Sequence, residues 1–126
     1  PEDKLHYAYG PDKWTVAEVL MHIIDSERVF QYRALRFARN DQTPLPGYEQ
    51  DDYIPYSGAS QMTKESLVQQ YQAVRQSTIA LFSTLDEEAL TRAGEANGVK
   101  MSVRAVGFCC CGHQRHHRNI LRDRYL

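Results

Sequence analysis

The sequence predicts an all-α fold, an up-down bundle of helices, because three long segments share one hydrophobic pattern. In each segment the apolar residues recur at the spacing of a packed helix, as Val16, Leu20 and Ile23 do in the first. No segment alternates between polar and apolar residues as a half-buried strand does. Helices without strands, each with one apolar stripe, predict a helical bundle.

The first predicted helix begins near Thr15, after turn residues at positions 10–12. Thr15 and Glu18 form the signature of a capping box, in which each side chain bonds the backbone N–H of the other residue. The apolar spacing continues to about Arg39, and Asn40 follows it as a helix-ending residue. We therefore expect one long helix here, with any polar residue on its stripe facing the interior.

Residues 43–60 are predicted to form a long loop, since three prolines and two glycines interrupt any regular pattern. Three tyrosines in this segment predict that the loop packs onto the bundle. A second helix follows from Thr63, its N-cap, to about Leu85. Residues 86–88 predict a short helical turn, and residues 94–98 predict a further turn.

The last predicted helix begins near Ser102 and carries two histidines on its apolar stripe. The core-facing series reads Val103, Val106, Cys110, His113, His117, Ile120 and Arg124. The three long helices are one short of a four-helix bundle. The first helix of such a bundle is therefore missing or truncated: it either precedes Pro1 or is reduced to residues 1–9. Alternatively, a second subunit covers the face that this helix would occupy.

Composition limits the classes of protein that this chain can be. Its 126 residues, 42% of them hydrophobic, suit one domain over residues 1–126. A net charge of -1 gives no general attraction to polyanions, so we expect no nucleic-acid partner. No apolar run reaches the roughly 20 residues of a membrane span, and no secretory signal is present. We therefore predict a cytoplasmic protein with no membrane partner.

Two histidines four residues apart, His113 and His117, predict a metal site. Residues at this spacing lie one above the other on a helix, where two imidazoles can bind one metal at about 2.0 to 2.1 Å. His22, on the border of the first helix's apolar arc, is the third candidate ligand. Three nitrogen ligands that leave positions open for water or substrate are typical of catalytic zinc sites.

Other readings of these residues remain open. His113 and His117 can also be core histidines with hydrogen bonds, and His22 a surface histidine. His116, three residues after His113, shares its face and competes with His117 as a ligand. Cys110 is either a soft extra ligand or a small buried hydrophobe. The three cysteines are consecutive, so they cannot pair with one another.

Two carboxylates of the first helix lie near His22. Glu27 falls at the centre of the apolar arc, so it either pairs with a buried arginine or hydroxyl or serves the site. Asp25 is one turn beyond His22 and can orient a histidine ligand, although such carboxylates more often face solvent.

The string from His113 to His117 has the spacing of the zinc-protease motif, in which a glutamate follows the first histidine as general base. Gln114 occupies that position here. A neutral amide cannot take a proton from metal-bound water, which argues against a peptidase of this type, and any base must come from elsewhere or be metal hydroxide itself. The arginines that follow, Arg115, Arg118, Arg122 and Arg124, suit the helix C-terminus or an anionic substrate.

Several stretches resemble one known family. Residues 13–20, KWTVAEVL, followed by His22 and residues 23–28, resemble the beginning of DinB/YfiT-like bundles. Residues 44–48, PLPGY, and residues 112–117, GHQRHH, match the same subgroup in order and approximate spacing. The resemblance therefore spans nearly the whole chain.

The resemblance implies a four-helix bundle, often dimeric, with one divalent metal on three histidines. The family's ligands correspond to His22, His113 and His117, the same residues that the helical register selects. Zinc or nickel is the expected ion, with manganese or iron as alternatives. The family's activities imply a metal-dependent hydrolase or a transferase that uses a low-molecular-weight thiol, acting on a small molecule as a homodimer.

Two features depart from the family pattern. Gln114 stands where related sequences commonly carry glutamate, and Cys109, Cys110 and Cys111 replace a segment of small apolar residues. Because no general base is evident, the alternative to an enzyme is a bundle that binds a metal or small molecule without turnover.

Overall fold

The computed structural model describes all 126 residues, which form five α-helices and one two-stranded sheet. The long helices are α1 (Val16–Ala38), α3 (Lys64–Ser83) and α5 (Val103–Ile120); the short ones are α2 (Gln50–Tyr53) and α4 (Glu87–Thr91). Both α3 and α5 pack along α1, which is therefore the central helix. The predicted helical fold is confirmed. None of the helices combines the length and apolar character needed to cross a bilayer.

The helix starts follow the capping signals in the sequence. Thr15 Oγ1 accepts a hydrogen bond from the Glu18 backbone N–H at 3.1 Å, and Glu18 Oε2 accepts one from the Thr15 backbone N–H at 2.8 Å. The side chains of Thr63 and Ser102 cap α3 and α5 by accepting a single hydrogen bond each, from the backbone N–H of Ser66 and of Ala105. These caps set the register in which the histidines of α1 and α5 face each other.

The hydrophobic core lies along the length of α1. One cluster packs α1 on α3 through Met21, Ile24 and Leu67. A second joins the far end of α1 to α5, where Phe37 and Val103 are fully buried. A third covers the start of α1 with the residues that follow α5. Burial on two sides fixes the orientation of α1 and of the polar residues on its stripe.

The segment at residues 43–60 contains more structure than the predicted loop. It includes α2 and single 3₁₀ turns at Ile54–Tyr56 and Ala59–Gln61. The segment does pack onto the bundle, but through Ile54 and Ala59, which are buried; of the three tyrosines that predicted this packing, Tyr53 and Tyr56 are exposed. Four-residue helical turns have no room for an apolar periodicity, so the sequence pattern does not reveal them.

The turn predicted at residues 94–98 is a β-hairpin, so the expectation of a chain without strands is wrong in this detail. Strand β1 (Ala93–Ala96) pairs antiparallel with β2 (Val99–Ser102). Asn97 and Gly98, both with positive φ, form the connection, as is common in two-residue hairpins. The strands are too short to show an alternation of polar and apolar residues. The Asn97-Gly98 pair is the feature of the sequence that indicates a hairpin.

Gly94 lies against the ring of Phe37, and a Cβ at this position would overlap that ring. Phe37 is fully buried and cannot move aside. We therefore expect Gly94→Ala to destabilise the fold by about 2 kcal/mol, as overpacking a core does. Gly112→Ala is the matched control, because open space surrounds that helical position. It should stabilise by about 0.5 to 1 kcal/mol. Denaturant unfolding measures both, and equal effects would contradict this packing.

Candidate metal centre

Helices α1 and α5 bring together the three histidines that the sequence selects. His22 is on α1, whereas His113 and His117 are one turn apart on α5. The Nε2 atoms of His22 and His113 lie 3.0 Å apart. One ring nitrogen from each of the three residues falls within 4.8 Å of the others. No carboxylate or thiol belongs to this group.

The spacing of these nitrogens suits a shared metal ion. Two nitrogens bound to one tetrahedral ion at about 2.0 to 2.1 Å lie about 3.3 Å apart. The 3.0 Å separation between His22 and His113 is close to that value. It also permits one direct hydrogen bond between the two rings, with one nitrogen donating and the other accepting. The two separations differ by only about 0.3 Å, so a small change of side-chain torsions converts the hydrogen-bonded pair into two ligands of one ion.

All three imidazoles are neutral at pH 7. Burial, together with the neighbouring His113 and His117 rings, lowers the pKa of His22 to about 4. Burial and the neighbouring histidines lower the pKa of His117 to about 4 as well, and burial lowers the pKa of His113. A neutral imidazole offers a free lone pair on one ring nitrogen, which is the form that binds metals.

His22 is more enclosed than its border position on α1 suggested. Only 3% of its surface is exposed, because α5 covers it on one side. The ring of Trp14 lies 4.9 Å from the ring of His22, centroid to centroid, and Phe30 lies 5.8 Å from His113. These aromatic side chains hold the imidazoles in place and keep solvent from their faces.

Ser26 and Tyr48 extend the site behind His22. The Ser26 Oγ lies 3.4 Å from His22 Nδ1 and 3.0 Å from the Tyr48 hydroxyl. If His22 Nδ1 donates to Ser26, its Nε2 carries the lone pair and faces the other histidines. The sequence offered Asp25 as a candidate for this orienting role, with a solvent-facing carboxylate as the commoner outcome. Asp25 pairs with Arg28 at 3.3 Å, and nothing in the sequence pattern brings Tyr48 to α1.

Removing the Tyr48 hydroxyl should weaken metal binding without disturbing the fold. Tyr48→Phe leaves the Ser26 hydroxyl without its partner, so His22 loses part of its orientation. We expect metal affinity to fall by about 10-fold or more, as for comparable outer partners of ligand histidines. Calorimetric titration with zinc measures the change. Tyr53→Phe, on the neighbouring ring 4.8 Å away, is the control, and an equal loss there would rule out this role.

A cavity of about 230 Å³ opens beside His117. Its lining residues are Tyr9, Asp12, Lys13, Trp14, Val19, Asp51, His117, Ile120 and Tyr125. The Tyr125 hydroxyl donates a hydrogen bond to the Trp14 carbonyl oxygen at 2.6 Å, which ties the end of the chain to the start of α1. Asp51, on the short helix α2, brings a carboxylate to this cavity, and no pattern in the sequence indicated it.

His116 lies outside the group of three. Its ring lies edge-to-face with that of His117, with centroids 5.1 Å apart, but the residue is exposed. The helical register on α5 therefore separates the two neighbours, with His117 directed to His22 and His116 directed to solvent.

Glu27 pairs with an arginine and a hydroxyl, the first of the two roles that its central position predicted. Its Oε1 accepts a hydrogen bond from Arg75 Nη2 at 2.5 Å, and its Oε2 accepts one from Thr78 Oγ1 at 3.2 Å. The Cys110 thiol donates to Oε1 at 3.3 Å. Burial and the Glu27 carboxylate raise the pKa of Cys110 to about 12. Cys110 is therefore a protonated donor to Glu27, directed away from the histidines.

Gln114 faces α3 rather than the histidines. Its Oε1 accepts a hydrogen bond from Arg75, and its Nε2 donates to the Tyr71 hydroxyl at 2.6 Å. The residue at this position thus serves the contact between α5 and α3. The spacing of a zinc-protease motif is present, but the side chain between the histidines points elsewhere.

The fold and the site together define a helical bundle with three convergent histidines. The chain belongs to the DinB superfamily, whose family model matches residues 1–121. Its fold is similar to that of YfiT from Bacillus subtilis, described as a probable metal-dependent hydrolase with an unusual four-helix bundle topology. The two share 18% sequence identity and a TM-score of 0.73, over 97% of this chain and 73% of YfiT. No curated protein matches the sequence.

Proposed function

We propose that this protein is a metal-dependent enzyme in which His22, His113 and His117 hold one divalent ion, zinc or nickel in the first place and manganese or iron as alternatives. The observation that carries the proposal is the convergence of three neutral imidazoles beside an open cavity, with no fourth protein ligand. A bound ion there supplies Lewis acidity toward water or a thiol.

The residues around the site have separate tasks in this proposal. Ser26 and Tyr48 fix the orientation of His22, and Trp14 shields the ring from water. Asp51 accepts a proton within the cavity, the task that Gln114 cannot perform. Lys13, which lines the same cavity, offers a positive charge to an anionic group of the substrate.

The reaction is hydrolysis or the transfer of a low-molecular-weight thiol to an electrophile. A cavity of about 230 Å³ accepts a small molecule rather than a folded protein. The description of YfiT as a probable metal-dependent hydrolase supports the first reaction, and the family resemblance supports the second. Either reaction needs a polarised nucleophile and a proton acceptor nearby.

A second candidate function is metal or small-molecule binding without turnover. It is favoured by Gln114, which is held by Arg75 and Tyr71, and by the absence of a carboxylate from the group of three. Under this proposal Asp51 contributes only to the charge of the cavity.

The test combines metal content with turnover. Protein purified without chelators or affinity-tag metal is analysed for bound metals, loaded with zinc or nickel, and assayed on small esters, amides and thiol-accepting electrophiles. The enzyme proposal predicts turnover that falls at least 100-fold in Asp51→Asn while the metal remains bound. Asp12→Asn, in the same cavity, is the matched control. Full metal loading without turnover on any substrate would favour the binding protein.

A further inference from the structure

Two positive charges meet at Tyr9, on the wall of the cavity beside His117. The Lys13 ammonium lies 5.7 Å from the centre of the Tyr9 ring, and the Arg124 guanidinium lies 5.8 Å from it. Arg124 Nη1 also donates a hydrogen bond to the Tyr9 hydroxyl at 3.1 Å. The two ends of the chain meet here because the Tyr125 ring packs edge-to-face on Tyr9, with centroids 4.9 Å apart. We call Tyr9, Lys13 and Arg124 the Tyr9 cluster.

The protein does not neutralise either cation of the Tyr9 cluster. Lys13 and Arg124 are exposed and form no ion pair, although Asp12 and Asp51 line the same cavity. Two like charges beside one ring repel each other, and an anion between them would offset that repulsion. The hydrogen bond from Arg124 and the charge of Lys13 lower the pKa of Tyr9, so the phenol oxygen lies where negative charge is favoured.

The Tyr9 cluster also has hydrogen-bond donors to spare. The Tyr9 hydroxyl accepts a bond from Arg124, and its own O–H has no acceptor in the protein. The Arg124 guanidinium has five N–H groups, of which one serves this bond, and the Lys13 ammonium has three. Phenol, guanidinium and ammonium groups all donate to the oxygens of carboxylates and phosphates.

We propose that the Tyr9 cluster is a subsite for an oxyanion group of the substrate, a carboxylate or a phosphate. This inference rests on the proposed function, because the subsite and the metal centre meet in one cavity through His117. It extends the role of Lys13 to a site of three groups. The substrate class is therefore a small molecule with its reacting group toward His117 and its anionic group toward Tyr9.

Anion titration tests the subsite independently of turnover. The full chain is titrated with acetate and with inorganic phosphate at constant ionic strength, both with and without zinc, and the NMR shifts of backbone amides are followed. We expect saturable shifts at residues 9–14 and 124–126 whether or not zinc is present. The anion that binds more tightly identifies the oxyanion, and binding that needs zinc would place the anion on the ion instead.

Variants locate the anion on the Tyr9 cluster. Lys13→Gln and Arg124→Gln should each weaken binding about 10-fold, and Tyr9→Phe, which keeps the ring, should weaken it about 3-fold or more. Arg122→Gln is the matched control, because Arg122 is exposed on the same turn and pairs with its neighbour Asp123. It should leave anion binding unchanged.

Turnover by the zinc-loaded protein gives a second measurement. An ester that carries the preferred oxyanion should have a kcat/KM at least 10-fold above that of its uncharged analogue, and Arg124→Gln should remove the preference. Absence of turnover on both esters would contradict the proposed function, and the anion titration would still decide the subsite. The subsite is overturned if neither anion saturates without zinc, if Arg122→Gln weakens binding as much as Arg124→Gln, or if both esters turn over equally well.

Discussion

Alanine at both His113 and His117 should reduce bound zinc from about one equivalent to none. The two residues supply two of the three nitrogens that meet within 4.8 Å, and His22 alone cannot hold an ion against water. The loss should also appear in stability. Zinc at about 1,000 times its dissociation constant stabilises a folded protein by about 4 kcal/mol. The double variant should show no such gain, and thermal unfolding with and without zinc measures it.

The matched control for this variant removes two other histidines. His6 and His116 are both exposed and lie outside the group of three. His6→Ala with His116→Ala should therefore keep one equivalent of zinc and the full rise in Tm. Zinc that survives in the first double variant, or disappears in the control, would show that the ion binds elsewhere.

Removing the Glu27 carboxylate should cost about 3 kcal/mol of the free energy of unfolding. Glu27→Ala leaves the Arg75 guanidinium facing a largely apolar interior without its partner, and breaking a buried pair in this way costs about 3 to 5 kcal/mol. We expect the lower end of that range, because the Arg75 side chain is 27% exposed and can turn toward water. For a domain stabilised by about 5 to 15 kcal/mol in total, this loss is large.

Denaturant unfolding at pH 7 measures the change, with Glu88→Ala as the control. Glu88 pairs with Arg92 at 3.7 Å but is 80% exposed, so its loss should change stability by less than about 1 kcal/mol. Burial raises the pKa of Glu27, but hydrogen bonds from Arg75, Cys110 and Thr78 outweigh it and hold that pKa below its usual range. The stabilisation is therefore complete above about pH 4.3 and is lost as the pH falls further. Equal losses in the two variants at pH 7 would contradict the buried pair.

The helices and the two histidines of α5 could be predicted because both depend on local patterns. The N-cap residues Thr15 and Ser102 mark where helices begin, and four-residue spacing places His113 and His117 on one face. The apolar residues around them direct that face inward. The interior pairing of Glu27 follows from the same reasoning, because a charge on an apolar stripe needs a partner.

The remaining parts of the site depend on how distant segments meet. Tyr48 and Asp51 reach the site only because residues 43–60 fold back over α1 and α5, and such tertiary contacts leave no periodic trace. The choice of Ser26 over Asp25 beside His22 depends on the direction of each side chain around α1. The degree to which α5 buries His22 depends on the packing of the two helices, so the border position on one helix underestimated it.

The most direct test of the metal centre is X-ray absorption spectroscopy at the zinc edge of the zinc-loaded protein. The site described here predicts three imidazole nitrogens at about 2.0 to 2.1 Å from the zinc. At least one further ligand should be an oxygen that the protein does not supply, and no ligand should be sulfur. A sulfur ligand at about 2.3 Å would place the ion on the cysteines of α5. That result, or a fourth imidazole that closes the site, would contradict an open centre built from His22, His113 and His117.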